Sequence, residues 1–159
     1  MTITTTLSAI RAHKPCKDGW EKLLTSLGKT KADNDPLEMT TILESNDLDD
    51  ALWCLRALGP ERHKLIVSLA CDFAERSLKF IPEGELRPAE CLRITRLWVA
   101  GQAEIEDVGK AADAAHAAAY AATYTAYAAA YAAAYAAYAA ERLWQEARFI
   151  EVMNIEGSI

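Results

Sequence analysis

Residues 111–140 contain no glycine and no proline, and residues 114–140 contain no Arg, Lys, Asp or Glu. Because glycine and proline are the residues that most readily interrupt a helix, their absence predicts a continuous helix here. The 27 uncharged residues are long enough to cross a bilayer. They include no Leu, Ile, Val or Phe, and alanine gains little from lipid, so no membrane-spanning helix is predicted.

Histidine and cysteine are also scarce, with three and four residues in the chain. The cysteines lie 38, 17 and 20 residues apart, which matches neither a close-spaced set of metal ligands nor a dense disulfide framework. We therefore expect reduced, buried thiols, no metal, no cofactor and no catalytic residue. The four thiols are Cys16, Cys54, Cys71 and Cys91.

Signatures for nucleotide binding and for export are incomplete or missing. The segment Gly28-Lys29-Thr30 resembles the end of a phosphate-binding loop, but Leu23 stands where that loop needs its first glycine. Residues 1–6 have no basic start and no apolar core, so no targeting segment is predicted. The cytoplasm of the host cell is the expected location.

The charge of the chain is negative and unevenly distributed. A net charge of −6 argues against tight nonspecific binding to nucleic acid or to an anionic membrane. Residues 1–31 hold six basic and two acidic side chains, whereas residues 33–50, here called the acidic segment, hold seven acidic and no basic ones. Two interpretations of the acidic segment stay open. Its carboxylates lie at helix N-termini, where the helix dipole stabilises negative charge, or they form a docking patch for a partner. Its acidic residues are Asp33, Asp35, Glu38, Glu44, Asp47, Asp49 and Asp50.

Alanine and tyrosine fill the stretch that lacks charge. Residues 111–140 hold 20 alanines and all six tyrosines of the chain. At 100° per residue the tyrosines fall within about 80° of one another around a helix axis, and we call them the tyrosine stripe. Three interpretations stay open: packing inside the protein, a seam between two copies, or an exposed recognition surface. The stripe consists of Tyr120, Tyr124, Tyr127, Tyr131, Tyr135 and Tyr138.

Asp113 and His116 fall on the same helix face as the tyrosine stripe, at its N-terminal end. A carboxylate three residues before a histidine can orient the imidazole or stabilise its charged form. We interpret the two as a pair on the helix surface.

Proline, glycine and capping residues predict an all-α fold, a helical bundle or a short α-solenoid-like array, in a single domain of residues 1–159. Short helices are expected in residues 1–101 and a long C-terminal helix in residues 102–153. The short helices are expected over residues 4–13, 18–27, 37–44, 47–58, 61–80 and 88–100, with Asp18 and Asp47 as N-caps and with Gly28 and Gly101 at helix ends. The fifth of them is expected to bury Leu65, Ile66, Leu69, Phe73 and Leu78.

The C-terminal helix raises a question of length. At 1.5 Å per residue it would extend about 75 Å, and a domain of this size has a radius of gyration of roughly 15 Å. Either the helix breaks, near Gly109 or residues 123–125, or it projects and pairs with a second copy as a homodimer.

Four segments in the first third of the chain resemble a family of small phage and prophage proteins that are often labelled as immunity proteins. The segments are LSAIRAH (7–13), PCKDGWEKLL (15–24), LGKTKAD (27–33) and ILESNDLDDALWCLRAL (42–58). The alanine-rich tail is similar in kind, with tyrosine where the relatives interleave Trp, Arg and Asp. The resemblance implies a helical protein of mobile-element origin with no catalytic residues to transfer.

The leading hypothesis is a phage or mobile-element accessory protein that acts by stoichiometric binding to a host or phage protein. It would inhibit a host defence system, as anti-CRISPR proteins do, or neutralise a toxin. One alternative is an acidic mimic of nucleic acid presented by the acidic segment. Another is a small enzyme whose site is assembled from His13, His63, His116 and the thiols.

Overall fold

The fold, seen in a computed structural model, is all-α, as the sequence predicts. The structure describes the backbone of residues 2–126 and 130–154 and the side chains of residues 2–117 and 141–154. The helices of the described chain are α1 (Leu7–Ala12), α2 (Lys17–Ser26), α3 (Met39–Ser45), α4 (Leu48–Cys54), α5 (His63–Glu75), α6 (Arg87–Val99), α7 (Ile105–Ala126) and α8 (Ala130–Asn154). Strands β1 (Thr4–Thr5) and β2 (Leu37–Glu38) form a small antiparallel sheet.

The chain divides into two compact units, each described here by itself. Unit 1 comprises Met1–His63 together with Leu143–Ile159, and unit 2 comprises Lys64–Arg142. In unit 1, turns of 3-10 helix at Leu55–Ala57 and Pro60–Arg62 follow α4, and in unit 2 the turn Arg76–Phe80 follows α5.

Two predicted helices begin later than expected, because the residues at their starts form the sheet. Thr4 pairs with Glu38 and Thr5 with Leu37, where helices from residues 4 and 37 were predicted. Threonine is β-branched and suits a strand better than a helix. The hydroxyl of Thr6 then accepts a hydrogen bond from the Ala9 amide at 3.1 Å and starts α1 as its N-cap.

Three of the four cap residues predicted from the sequence lie where they were expected. Asp47 caps α4 as predicted, and Gly28 and Gly101 take the left-handed conformation, with φ of +64° and +74°, just beyond the ends of α2 and α6. The predicted N-cap Asp18 is wrong. Cys16 caps α2 instead, since its sulfur accepts the Gly19 amide at 3.4 Å and Asp18 lies in the first helical turn.

Unit 1 has a closed hydrophobic core drawn from both ends of the chain. Its fully buried residues include Leu7, Ile10, Met39, Ile42 and Leu48 from the N-terminal segment and Phe149 and Met153 from α8. The amide of Ile3 donates to the Met153 carbonyl at 2.9 Å, and the carbonyl of Ile3 accepts from the Met39 amide at 3.1 Å. The last turns of α8 are therefore an integral part of the core of unit 1.

Unit 2 is held together by helix contacts and by ion pairs. Helices α6 and α7 pack along each other. Arg96 of α6 donates to Asp72 at 2.9 Å and to Glu75 at 2.7 Å, both on α5. The guanidinium of Arg76 donates to both carboxylate oxygens of Glu141, at 2.9 and 2.7 Å.

The backbone of α7 continues through both proposed break points, Gly109 and residues 123–125. No break therefore occurs at either place, although residues 127–129, between α7 and α8, lie outside the described residues. Over the part of the chain that the structure describes, none of the helices has the length and hydropathy required to cross a bilayer.

Replacing Phe149 tests the role of α8 in unit 1. Its side chain has 0% exposure, so Phe149→Ala should lower the free energy of unfolding by about 3–5 kcal/mol, measured by urea unfolding with circular dichroism. The neighbouring Ile150 is 41% exposed, and Ile150→Ala should cost less than about 1 kcal/mol. Equal losses in the two variants would contradict this packing.

Candidate protein-binding surface

The first two carboxylates of the acidic segment share one ion-pair partner in unit 1. The ammonium of Lys29 contacts both Asp33 and Asp35, at 2.5 and 2.9 Å. The hydrogen bond from Lys29 lowers the pKa of Asp33, and the bonds to the two carboxylates raise the pKa of Lys29. These three charges close the loop that follows α2.

Two more carboxylates shape the start of α4. Asp47 accepts the Asp50 amide at 2.9 Å as the N-cap of that helix. Asp50 in turn accepts a hydrogen bond of 2.7 Å from the Asn46 side chain, whose amide also donates to the Gly19 carbonyl at 2.9 Å. The network connects α2 to the start of α4. Asp47 and Asp50 therefore have a structural role at a helix N-terminus, which is one of the two roles that the sequence predicts for the acidic segment.

The other acidic residues of the segment, Glu38, Glu44 and Asp49, are exposed. Glu38 accepts the Thr2 hydroxyl at 2.9 Å. The seven carboxylates therefore differ in their contacts: some form ion pairs or cap a helix, and others are exposed. Their use as a docking patch stays a prediction.

The tyrosine stripe falls outside the described side chains, so its three interpretations stay predictions. The backbone places Tyr120 and Tyr124 within α7, and Tyr131, Tyr135 and Tyr138 within α8, while Tyr127 lies outside the described residues altogether. At the described start of α7, the residues shielded from solvent lie on one narrow face of the helix. They are the buried Ala111 and the half-buried Val108 and Ala115. Asp113 and His116 are exposed, and their pairing stays a prediction.

The histidines and thiols do not assemble into a metal site. Among the described residues there is no group of three or more His, Cys, Asp or Glu placed to hold a metal ion. All three histidines are exposed. The expectation of buried thiols is right for Cys54 and Cys71 but wrong for Cys16, which is exposed at the start of α2, and Cys91 is only half-buried.

Several apolar side chains of α5 and α6 are half-exposed. Of the five side chains predicted to be buried in the fifth helix, Leu69 is buried and the other four are half-exposed. None of the 13 residues of α6 is fully buried. An amphipathic helix usually buries its apolar face in its own domain, so a half-exposed apolar face is a candidate contact surface.

A shallow groove of about 480 Å³ lies between α6 and α7, and we call it the α6–α7 groove. From α6 it is lined by residues 90, 93, 94 and 97, whose spacing of three and four defines one helix face. Ile94 and Leu97 supply apolar surface and are half-exposed. Ala103 and the buried Ala111 face them from the other side and allow close approach.

Ion pairs border the groove on both helices. Arg93 donates two hydrogen bonds to the Glu90 carboxylate, at 2.8 and 2.7 Å, and Lys110 lies 3.7 Å from Asp107. The hydrogen bond from Arg93 lowers the pKa of Glu90. The groove therefore has an apolar centre and a polar rim of compensated charge, which is the usual composition of a protein–protein interface.

A second apolar feature of unit 2 is the loop between the turn Arg76–Phe80 and α6. Phe80 and Leu86 at its two ends are 70% and 73% exposed. The side chain and backbone amide of Arg87 both donate to Glu85, which lowers the pKa of Glu85 to about 2 and keeps the loop end charged. Helical periodicity did not single out Phe80 and Leu86, because Phe80 ends a turn of 3-10 helix and Leu86 is the residue just before α6.

The comparison with protein families matches this part of the chain. The model described as "Imm-5 like putative immunity protein" covers residues 56–141, more than half of the chain. The chain belongs to this Imm-5 like family. The immunity-protein label inferred from the sequence is thereby confirmed, although the resemblance that suggested it rested on residues 7–58. No curated protein and no solved structure matches the chain.

The Imm-5 like region contains almost all of unit 2, including the α6–α7 groove and the Phe80–Leu86 loop. The acidic segment lies before it, and the core residues of unit 1 lie on both sides of it, with Leu7, Ile10 and Ile42 before it and Phe149 and Met153 after it. Membership of an immunity-protein family indicates a role in binding another protein, and the groove is the described surface in the matched region best suited to that role.

The thiols should differ sharply in reactivity. Burial raises the pKa of Cys54 to about 12, so at pH 8 only about one thiol in ten thousand is ionised. Burial also raises the pKa of Cys71. We expect iodoacetamide to label Cys16 in the native protein while Cys54 resists, and urea to abolish the difference, as measured by peptide mass spectrometry. Rapid native labelling of Cys54 at pH 8 would contradict this.

The structural role of Asp47 can be separated from a docking role. Asp47→Ala removes the N-cap of α4 and should lower the free energy of unfolding by about 0.5–2 kcal/mol. Glu44→Ala, which removes an exposed carboxylate of the same segment, should change stability by no more than about 0.5 kcal/mol. Thermal and urea unfolding of the two variants measure these losses. Equal stabilities of the two variants would contradict the capping role of Asp47.

Proposed function

We propose that this Imm-5 like protein neutralises a protein toxin by stoichiometric binding, with the α6–α7 groove as the contact surface. The observation that carries the proposal is the half-exposed apolar groove, bordered by ion pairs, within the region that the immunity-protein model matches. Neutralisation by binding requires no catalytic group in the inhibitor. It requires a surface that gains free energy when covered, and apolar area supplies that gain at roughly 25 cal/mol per Å².

The groove favours an apolar helix of the toxin as the bound element. A furrow between two helices accepts side chains spaced at three and four residues from a third helix, and the small Ala103 and Ala111 let that helix approach closely. The compensated charges of Glu90, Arg93, Asp107 and Lys110 would set the register of the contact more than its strength.

This proposal keeps the origin and location expected from the sequence and chooses one of the two expected classes of target. A mobile-element origin and action in the cytoplasm of the host cell remain part of the proposal. The immunity-protein family favours a toxin over a host defence component such as a CRISPR system as the target. The homodimer through the C-terminal helix stays a separate prediction, which sedimentation over a range of protein concentrations tests.

The function can be tested by co-expression with the products of genes that flank the gene of this protein. One product should arrest growth of the host, and this protein should restore growth and form a complex of fixed stoichiometry with it. Ile94→Asp and Leu97→Asp, which place a charge in the groove, should each weaken binding by about 30-fold or more, measured by calorimetry.

A matched control lies on α8. Ile150 is also a partly exposed isoleucine, and Ile150→Asp should leave binding within about threefold of the parent protein. Circular dichroism and Tm establish that each variant folds. If the groove variants fold and still protect fully while Glu44→Lys abolishes protection, the contact surface is the acidic segment. If the captured partner is a defence nuclease and no flanking product is toxic, the proposal of a toxin is wrong.

A further inference from the structure

Unit 1 contains a cavity that the proposed function does not use. It has a volume of about 90 Å³ and lies between α2 and α4. Its deep wall consists of the buried side chains of Ile10, Leu23 and Cys54, and the rings of Trp20 and Trp53 line it as well. We call it the indole cavity.

The size of the indole cavity corresponds to one large side chain. A water needs about 10–15 Å³ of such volume, so 90 Å³ accommodates roughly six to nine water-sized groups. The side chain of tyrosine has about eight non-hydrogen atoms, and its flat ring suits a pocket with aromatic walls. Leucine would underfill the cavity.

One polar group selects for a hydrogen-bond donor at the tip of the guest. The half-buried Asp50 lines the cavity, and its Oδ2 accepts the bond from Asn46. Among the described residues, no hydrogen bond reaches its Oδ1. The hydroxyl of a tyrosine can donate to that oxygen, whereas phenylalanine offers no donor.

Two cations stand beside the aromatic walls. The guanidinium of Arg56 lies 4.3 Å from the ring centre of Trp53, and that of Arg11 lies 5.4 Å from the ring centre of Trp20. Both arginines are exposed, so their charge is available to a partner as well as to the rings. Tryptophan and arginine are also the residues that most often dominate the energy of a protein interface.

We propose that the indole cavity docks a tyrosine of a partner polypeptide, carried on a segment whose flanking residues are acidic. The tyrosine ring fills the cavity, its hydroxyl donates to Asp50, and the acidic flanks contact Arg11 and Arg56. A single-stranded nucleic acid is the other polymer that binds to aromatic rings beside arginines, and the test below distinguishes the two. This site is in unit 1, and it does not rest on the proposed function of unit 2.

A fluorescent peptide with one tyrosine between aspartates provides the probe. We expect saturable binding to the full-length protein that weakens as salt is added. A peptide with alanine in place of the tyrosine should bind at least about tenfold more weakly, as should one with lysines in place of the aspartates. The parent peptide failing to bind below about 1 mM would overturn the proposal.

Variants of the protein locate the site. Trp53→Ala and the double change Arg11→Glu and Arg56→Glu should each weaken peptide binding at least about tenfold. Arg62→Glu makes half that change of charge, at an exposed residue of unit 1 that neither lines the cavity nor stacks on Trp20 or Trp53, and it should alter binding less than about twofold. Circular dichroism and Tm verify folding, and the arginine variants alter only exposed side chains.

The remaining outcomes count against the proposal. Equal weakening by Arg62→Glu and by the Arg11 and Arg56 changes would mean that the peptide senses overall charge and not the cavity. Equal binding of the tyrosine and alanine peptides would mean that the cavity is not occupied. A single-stranded oligonucleotide that binds through Arg11 and Arg56 when the peptide does not would replace the polypeptide partner by a nucleic acid.

Discussion

The core of unit 1 depends on one long-range contact, the packing of the last turns of α8 against the N-terminal helices. Phe149 and Met153 are fully buried there, and Ile3 exchanges backbone hydrogen bonds with Met153 and Met39. The segment between, Lys64–Arg142, forms a unit of its own. Unit 1 is therefore discontinuous in sequence, and its core closes only when the C-terminal residues are present. Such non-local contacts cost loop-closure entropy before they contribute stability.

The described helices of the two units differ in how completely their apolar side chains are buried. Unit 1 encloses Leu7, Ile10 and Ile42 and retains a cavity between α2 and α4. In unit 2, α6 has no fully buried side chain, and ion pairs such as Arg96 with Asp72 supply part of the contact between helices. Half-exposed ion pairs add little stability individually. Covering the half-exposed apolar face of α6 with a partner would therefore stabilise the helix more than these ion pairs do. The Imm-5 like match covers α5, α6 and α7.

Local signals allowed much of the fold to be predicted. Asp47, Gly28 and Gly101 mark helix ends through chemistry that involves only a few neighbouring residues, and the structure confirms all three. The strand pair Thr4–Thr5 with Leu37–Glu38 was missed, because its partners are more than 30 residues apart and neither segment alternates long enough to indicate a strand. The groove was missed for a related reason. The spacing of Ile94 and Leu97 predicts an apolar face but not whether a neighbouring helix covers it.

The sequence by itself determined the all-α class and the helix ends marked by Asp47, Gly28 and Gly101, since these depend on propensities and caps that act over a few residues. The tertiary structure alone decided that Cys16 caps α2, that Phe149 belongs to the N-terminal core, and that Ile94 and Leu97 line an open groove. Burial is a property of what lies across the interface, and residues distant in sequence supply it. For that reason the family resemblance could indicate a binding protein, while the surfaces offered for binding emerged only from the packing.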